Sequence, residues 1–251
     1  MLSIDLNCDM GEGAGNEKAI MPYISSANIA CGYHAGDETS MRSIVELAIR
    51  CRVAIGAHPG YPDREHFGRR DMLEGGGIGV ADLPKIVADQ LIILEKICTG
   101  YGASLHHVKL HGALYNRAAK DRSVSAILCE TIRQFDPALL LYGLSGSAMQ
   151  AEAERCGLRF VQEVFADRSY REDGSLTPRT EAHALIEDPA VAVEQVLNIV
   201  REGKIMTTGG KAIFVGAGTI CIHGDGLYAA GHVRAIREEL ECDGVSVQAP
   251  F

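Results

Sequence analysis

The feature that most constrains this chain is an alternation of short β-type runs with helix-type segments, sustained almost from end to end. SIDLNC (3–8) reads as a strand, NEKAIMPYI (16–24) as a short helix capped by Asn16, and ANIAC (27–31) as a second strand. TSMRSIVELAIRCR (39–52) places Met41, Ile44, Val45, Ala48 and Ile49 on one helical face, and VAIGAH (53–58) is a third strand. A loop rich in Gly, Pro and Arg (59–79) leads to a helix over 81–102, a strand over 105–111, a helix over 123–135, a strand over 138–144, a helix over 147–157 and a strand over 159–165. After a polar stretch (166–180) the pattern gives a helix over 189–203, a hairpin over 204–215 around Gly209-Gly210, a strand over 218–223, a helix over 228–240 and a last strand over 245–249. Such alternation implies a parallel sheet with helical crossovers, closed as an open doubly wound sheet or as a (β/α) barrel of seven to eight mostly parallel strands. With no linker, low-complexity tract or repeat in 251 residues, a single domain over 1–251 is expected.

Composition narrows the function classes. A net charge of −9 disfavours nucleic acid and anionic membrane surfaces as partners. The eight cysteines form no CxxC pair and several sit in apolar periodic stretches, so they read as reduced, packed thiols. The N-terminus lacks the pattern of a secretory signal and no segment approaches a membrane span, which sets a cytoplasmic location as the expectation.

Polar groups follow the strands with regularity. Asn7, Asp9 and Glu12 end the first; His34 and Asp37 follow the second and His58 the third; Lys109 and His111 end the fourth. Glu163, Asp167 and Arg168 follow the strand over 159–165, and His223 and Asp225 follow the last β run before the final helix. In a parallel α/β fold all strand C-termini share one rim, so these groups converge despite their separation in sequence. In HHVKLH, period two puts His107, Lys109 and His111 on one face, and an inward lysine is costly unless an anion answers it. His34 and Asp37 suit both a site and a helix start.

Several mechanisms are excluded by what is missing. GGGIGV (75–80) is not GxGxxG, TTGGKA (207–212) is not a phosphate loop, and there is no GxSxG nucleophile elbow. Carboxylates and histidines without a serine or thiol nucleophile point to general acid–base hydrolysis, with or without a metal ion.

DLNCDMGEG, SSANIACGYHAGD, AIGAHPGYPDREHFGRR, VKLHGALYN, EVFADRSYREDGSLTPR and ICIHGD resemble, in order, the hallmark segments of the LamB/YcsF family, the A components of ATP-hydrolysing 5-oxoprolinases. The resemblance implies an irregular (β/α) barrel related to glycoside hydrolase and deacetylase barrels. It also implies opening of the 5-oxoproline (pyroglutamate) lactam to L-glutamate with ATP hydrolysis, together with two allophanate-hydrolase-like partner subunits. A lactam bearing a carboxylate needs an anion clamp, for which Arg69, Arg70, Arg168 and Arg179 are candidates. It needs a polarised carbonyl, for which Lys109 with His111 is proposed, and a base, either Asp9 or Glu12, with His34–Asp37 as the alternative. Asn7, Asn28, His58, Tyr115 and Asn116, inside the matching segments, join the arginines as substrate-binding candidates. A divalent metal held by Asp9, His58 and His111 is the rival polariser. Two other readings remain open: a stand-alone metal-dependent hydrolase of an acylated sugar or cyclic amide, and a non-catalytic substrate-binding subunit.

Overall fold

Period-two alternation along β1 (Ser3–Met10) sets the plan of the fold. Ile4, Leu6, Cys8 and Met10 join the apolar core beneath the helices, while Asp5, Asn7 and Asp9 are equally buried on the opposite face. The computed structural model describes residues 2–75, 77–224 and 229–251. The parallel strands after β1 are β2 (Ser26–Ala30), β3 (Ala54–His58), β4 (His107–Lys109), β5 (Leu140–Leu144) and β6 (Arg159–Phe165). They are followed by the antiparallel hairpin β7 (Lys204–Met206) and β8 (Ala212–Phe214), then β9 (Thr219–Ile222) and β10 (Ser246–Val247). Strands pair in the order β1-β2-β3-β4-β5-β6-β9, and β9 pairs back onto β1, so seven strands close a barrel. Closure decides between the two architectures left open by sequence. β10 adds an eighth parallel strand beside Ser3 and Ile4, where β9 does not reach.

The helices are α1 (Glu17–Ile20), α2 (Glu38–Cys51), α3 (Leu83–Gly100), α4 (Gly112–Lys120), α5 (Arg122–Phe135), α6 (Ala148–Cys156), α7 (Pro189–Glu202) and α8 (Ala229–Cys242). Four elements differ from expectation. The strand expected over 105–111 keeps three of its seven residues, and His111 passes to the start of α4. The helix read over 16–24 is a single turn followed by a 3-10 turn over Met21–Tyr23, because Pro22 has no N–H to continue α-helical bonding. Helix α4 has no counterpart in the sequence pattern: its nine residues bury Ala113, Leu114, Tyr115 and Ala118, and Asp121 separates it from α5 by capping the N–H groups of Ser123 and Val124. The last strand keeps two of its five expected residues. Among the described residues no helix is long and apolar enough to cross a membrane.

The barrel interior is polar. His107 fits because β3 offers a glycine opposite it: a Cβ on Gly56 would lie 2.1 Å from His107 Nε2.

Candidate functional site

Inward residues form layers that ascend the barrel. Near the bottom, Asp5 accepts hydroxyl hydrogen bonds from Ser25 (2.6 Å), Ser26 (2.8 Å) and Thr219 (2.6 Å). Above it, the Asn7 amide donates to Thr219 Oγ1 (2.7 Å) and Glu163 Oε1 (3.0 Å), and Asn28 donates to Asn7 Oδ1 (2.7 Å). His107 meets Asn28 Oδ1 at 2.8 Å.

Lys109 crowns this column. Its ammonium reaches Asp9 Oδ1 at 2.8 Å, Cys221 Sγ at 2.9 Å, Glu163 Oε1 at 3.2 Å and Asn7 Oδ1 at 3.3 Å. Burial alone would lower the Lys109 pKa, but Asp9, Cys221 and Glu163 outweigh it and hold the ammonium well above its ordinary value. Asp9 is the mirror case: burial would raise its carboxyl, yet His58 and Lys109 keep it well below the usual range. Asp9 and Lys109 are thus a charged, fully buried pair. Glu163 also accepts the Tyr115 hydroxyl at 2.7 Å, so Glu163 and Tyr115 brace Lys109 from below.

Above Lys109, at the C-terminal mouth, four side chains from four strand ends meet. His58 donates Nδ1–H to the Lys109 carbonyl (2.7 Å), and His111 donates Nε2–H to the Phe67 carbonyl (2.8 Å). The remaining ring nitrogens, His58 Nε2 and His111 Nδ1, face each other at 3.0 Å. Glu12 Oε1 lies 3.0 Å from His111 Nδ1, 3.2 Å from His34 Nε2 and 3.6 Å from His58 Nε2. The His34 ring stacks on His111, with centroids 3.7 Å apart and planes 6° from parallel. Burial would raise the Glu12 carboxyl, but the close contacts with the His111 and His34 imidazoles hold it far below its usual range; burial pushes His34 down to about 3. Glycines make the packing possible. A Cβ on Gly60 would come within 2.8 Å of His34 Nδ1, and one on Gly68, at φ +62°, within 2.9 Å of both His111 and His34. This His/Glu cluster is a candidate metal-binding group.

Across the mouth, Asp167 accepts both the backbone N–H of His223 (3.0 Å) and its Nδ1–H (2.9 Å), with Phe165 stacked on the ring. Burial would raise the Asp167 carboxyl, and His223 more than reverses it. A cavity of about 710 Å³ opens over these groups, within the range of small-molecule sites. Its walls include Asp9, His58, Lys109, Asn116, Arg179 and His223.

Some expected residues stand elsewhere. Asp37 is exposed and completes a capping box with Ser40 at the start of α2, so the helix-start role is what its geometry shows and His34 pairs with Glu12 instead. Arg70 is half-exposed and, among the described residues, pairs with Asp63 at 3.5 Å, away from the cavity wall. Arg168 borders the cavity, but its guanidinium donates to the carbonyls of Ala184 and Thr177 and ties down the loop after β6. Arg69 lines the cavity with its guanidinium 4.9 Å from the Phe67 ring centroid. Of the metal trio expected from sequence, His58 and His111 meet, and Asp9 gives Oδ1 to Lys109 while its Oδ2 stands 3.4 Å from His58 Nε2; Glu12 and His34 join the two histidines in the cluster. Asp225 lies outside the described residues. Cys221, read as a packed thiol, contacts Lys109; the alternation Thr219, Cys221, His223 along β9 carries that signal. The Phe67 carbonyl, which orients His111, leaves no mark in side-chain patterns.

A family profile described as LamB/YcsF family matches residues 4–251. The chain is 48% identical over 252 residues to the 5-oxoprolinase A subunit of Bordetella pertussis, covering 98% of each chain. It is 47% identical over 254 residues to the 5-oxoprolinase A subunit of Shouchella clausii, covering 99% of each. The crystal structure of the lactam utilization protein from Thermus thermophilus superposes with a TM-score of 0.91 at 40% identity, covering 99% of this chain and 100% of that one.

Proposed function

The chain belongs to the LamB/YcsF family, and on that premise we propose that it is the A subunit of an ATP-dependent 5-oxoprolinase. In this reading it opens the lactam of 5-oxoproline to L-glutamate in the cytoplasm, with two allophanate-hydrolase-like proteins as partners and ATP consumed by the assembly. The supporting observation is near-half identity along the full length of curated relatives that carry that name.

The chemistry asks for few parts. Water adds to the ring carbonyl, the C–N bond breaks, and the ring nitrogen takes a proton, giving the free amine and a second carboxylate. Arg179, on the cavity wall, is the clamp for the existing carboxylate, since the Arg168 donors are committed to backbone carbonyls. Asp167 fixes the His223 tautomer with Nδ1–H bound, leaving Nε2 as the atom that accepts the proton of water and returns it to the leaving nitrogen. Lys109 serves less as a free polariser than as the rigid counter-charge that keeps Asp9 ionised beneath the substrate.

The test is conversion of 5-oxoproline to glutamate with ATP, run with and without the cognate partner proteins. Asp167→Asn should lower kcat of the assembly by roughly 10²–10⁴-fold, with folding and KM little changed. Wild-type turnover in that variant removes the His223–Asp167 pair from the mechanism. Turnover without ATP or partners replaces the reading with a stand-alone hydrolase. Tight 5-oxoproline binding with chemistry indifferent to Asp167, Asp9 and Arg179 replaces it with a non-catalytic binding component.

A further inference from the structure

We propose that Glu12, His34, His58 and His111 form a binding site for one divalent transition-metal ion of the zinc type. The inference does not depend on which amide or sugar the cavity accepts.

The argument begins with tautomers. A backbone carbonyl can only accept, so the contacts to Lys109 O and Phe67 O place the hydrogens on His58 Nδ1 and His111 Nε2. That leaves two lone pairs aimed at each other at 3.0 Å, with a carboxylate oxygen 3.0 Å from one and 3.6 Å from the other. Three acceptors in contact repel unless something positive stands among them. His34 Nε2, 3.2 Å from the same oxygen, adds a fourth potential donor atom.

Distances fit an ion. Ligand atoms bound at about 2.0–2.1 Å in a tetrahedron stand roughly 3.3–3.4 Å apart. The observed 3.0, 3.0, 3.2 and 3.6 Å bracket that spacing for four of the six atom pairs, and all four ligand atoms lie within 4.8 Å of one another. A backbone carbonyl bound to the far nitrogen of a ligating histidine fixes the ring and raises its basicity, and two of the three rings have one. Three imidazoles and one carboxylate suit zinc, cobalt, nickel or manganese better than magnesium or calcium, which prefer all-oxygen shells.

A shared proton is the competing occupant. The facing pair His106 Nδ1 and His107 Nδ1, 3.1 Å apart, shows the contrast: His106 is only half-buried and open to water. At the mouth all three rings are buried, and Asp9 and Glu12 raise the His58 pKa against that burial, so a proton on His58 is the alternative that the metal titration tests.

The experiment uses the intact chain, purified without a metal-affinity step, stripped by chelator and titrated with Zn²⁺ by calorimetry and with Co²⁺ by visible absorption. One ion per chain and the intense d–d bands of a four- or five-coordinate cobalt site are expected. Glu12→Gln and His111→Ala should weaken binding by more than the roughly 10–100-fold that loss of an outer hydrogen-bond partner costs. Absence of saturable binding overturns the proposal, as does a pale six-coordinate cobalt spectrum, or variants that bind as tightly as the parent chain. If His111→Ala does not fold, the near-isosteric Glu12→Gln and the cobalt spectrum of the unaltered chain still decide. Failure here leaves the lactam reading standing, because its own assay measures glutamate.

Discussion

The lower barrel and the mouth are built from the same polar residue types, yet they differ in how donors and acceptors are matched. Below Lys109, carboxylate meets hydroxyl and amide N–H meets carboxylate or amide oxygen: Asp5 with Ser25, Ser26 and Thr219, Asn7 with Glu163, Asn28 with Asn7. At the mouth, acceptor meets acceptor around Glu12, and His34 Nδ1 is buried without a hydrogen-bond partner among the described residues. Satisfied buried networks rigidify a fold, whereas an unsatisfied cluster costs stability and is retained for a ligand or for chemistry. The comparison separates structural polarity from functional polarity inside one barrel.

Four substitutions test that division. Lys109→Met should have the largest effect, because it strands the Asp9 and Glu163 carboxylates in the interior; a loss of about 3–5 kcal/mol is expected in chemical denaturation. A loss under about 1 kcal/mol would mean that water or protonation resolves the charge and that the column is not a rigid support.

Asp5→Asn comes next, at about 1–3 kcal/mol. Thr219 Oγ1 already accepts from Asn7 and donates to Asp5, so an amide in place of the carboxylate sets donor against donor on one side or the other. Burial raises the Asp5 pKa above its unfolded value, partly offset by its hydroxyl partners. Its stabilising contribution is therefore full below the unfolded pKa and declines as pH rises through the folded one. The penalty of Asp5→Asn should accordingly be smaller at pH 8 than at pH 4, with turnover per folded molecule unchanged at pH 8.

Asp37→Ala should lower the melting midpoint by about one to four degrees through loss of the α2 cap and leave turnover intact. A hundredfold drop in turnover would return Asp37 to the site. The smallest effect on stability, under about 1 kcal/mol, belongs to Glu12→Gln measured without added metal. Its new amide can donate to His111 Nδ1 and relieve the crowding of acceptors, while turnover falls by roughly 10²-fold or more. Were Glu12→Gln instead to destabilise the fold as much as Asp5→Asn, the mouth would be an ordinary structural network.

Much of this was legible in the chain. Strand–helix alternation announced a parallel α/β fold, and polar residues after successive strands announced a shared rim. Asp9, His58, Lys109 and His223 do border one cavity. Helix α4 escaped because nine residues joined to α5 through one capping aspartate give too short a periodic stretch to separate from a loop. Asp37 misled because a capping aspartate and a site aspartate look identical three residues after a histidine.

Two things were decided by the sequence itself: which residues face inward, because a strand's side chains alternate strictly, and which segments cross from strand to strand. Only the folded barrel decided who meets whom. The pairing of β9 with β1 closes the ring and brings Cys221 and His223 beside Asp9. Backbone carbonyls of Lys109 and Phe67 then select the imidazole tautomers, and such contacts depend on distances across the barrel that no local pattern encodes.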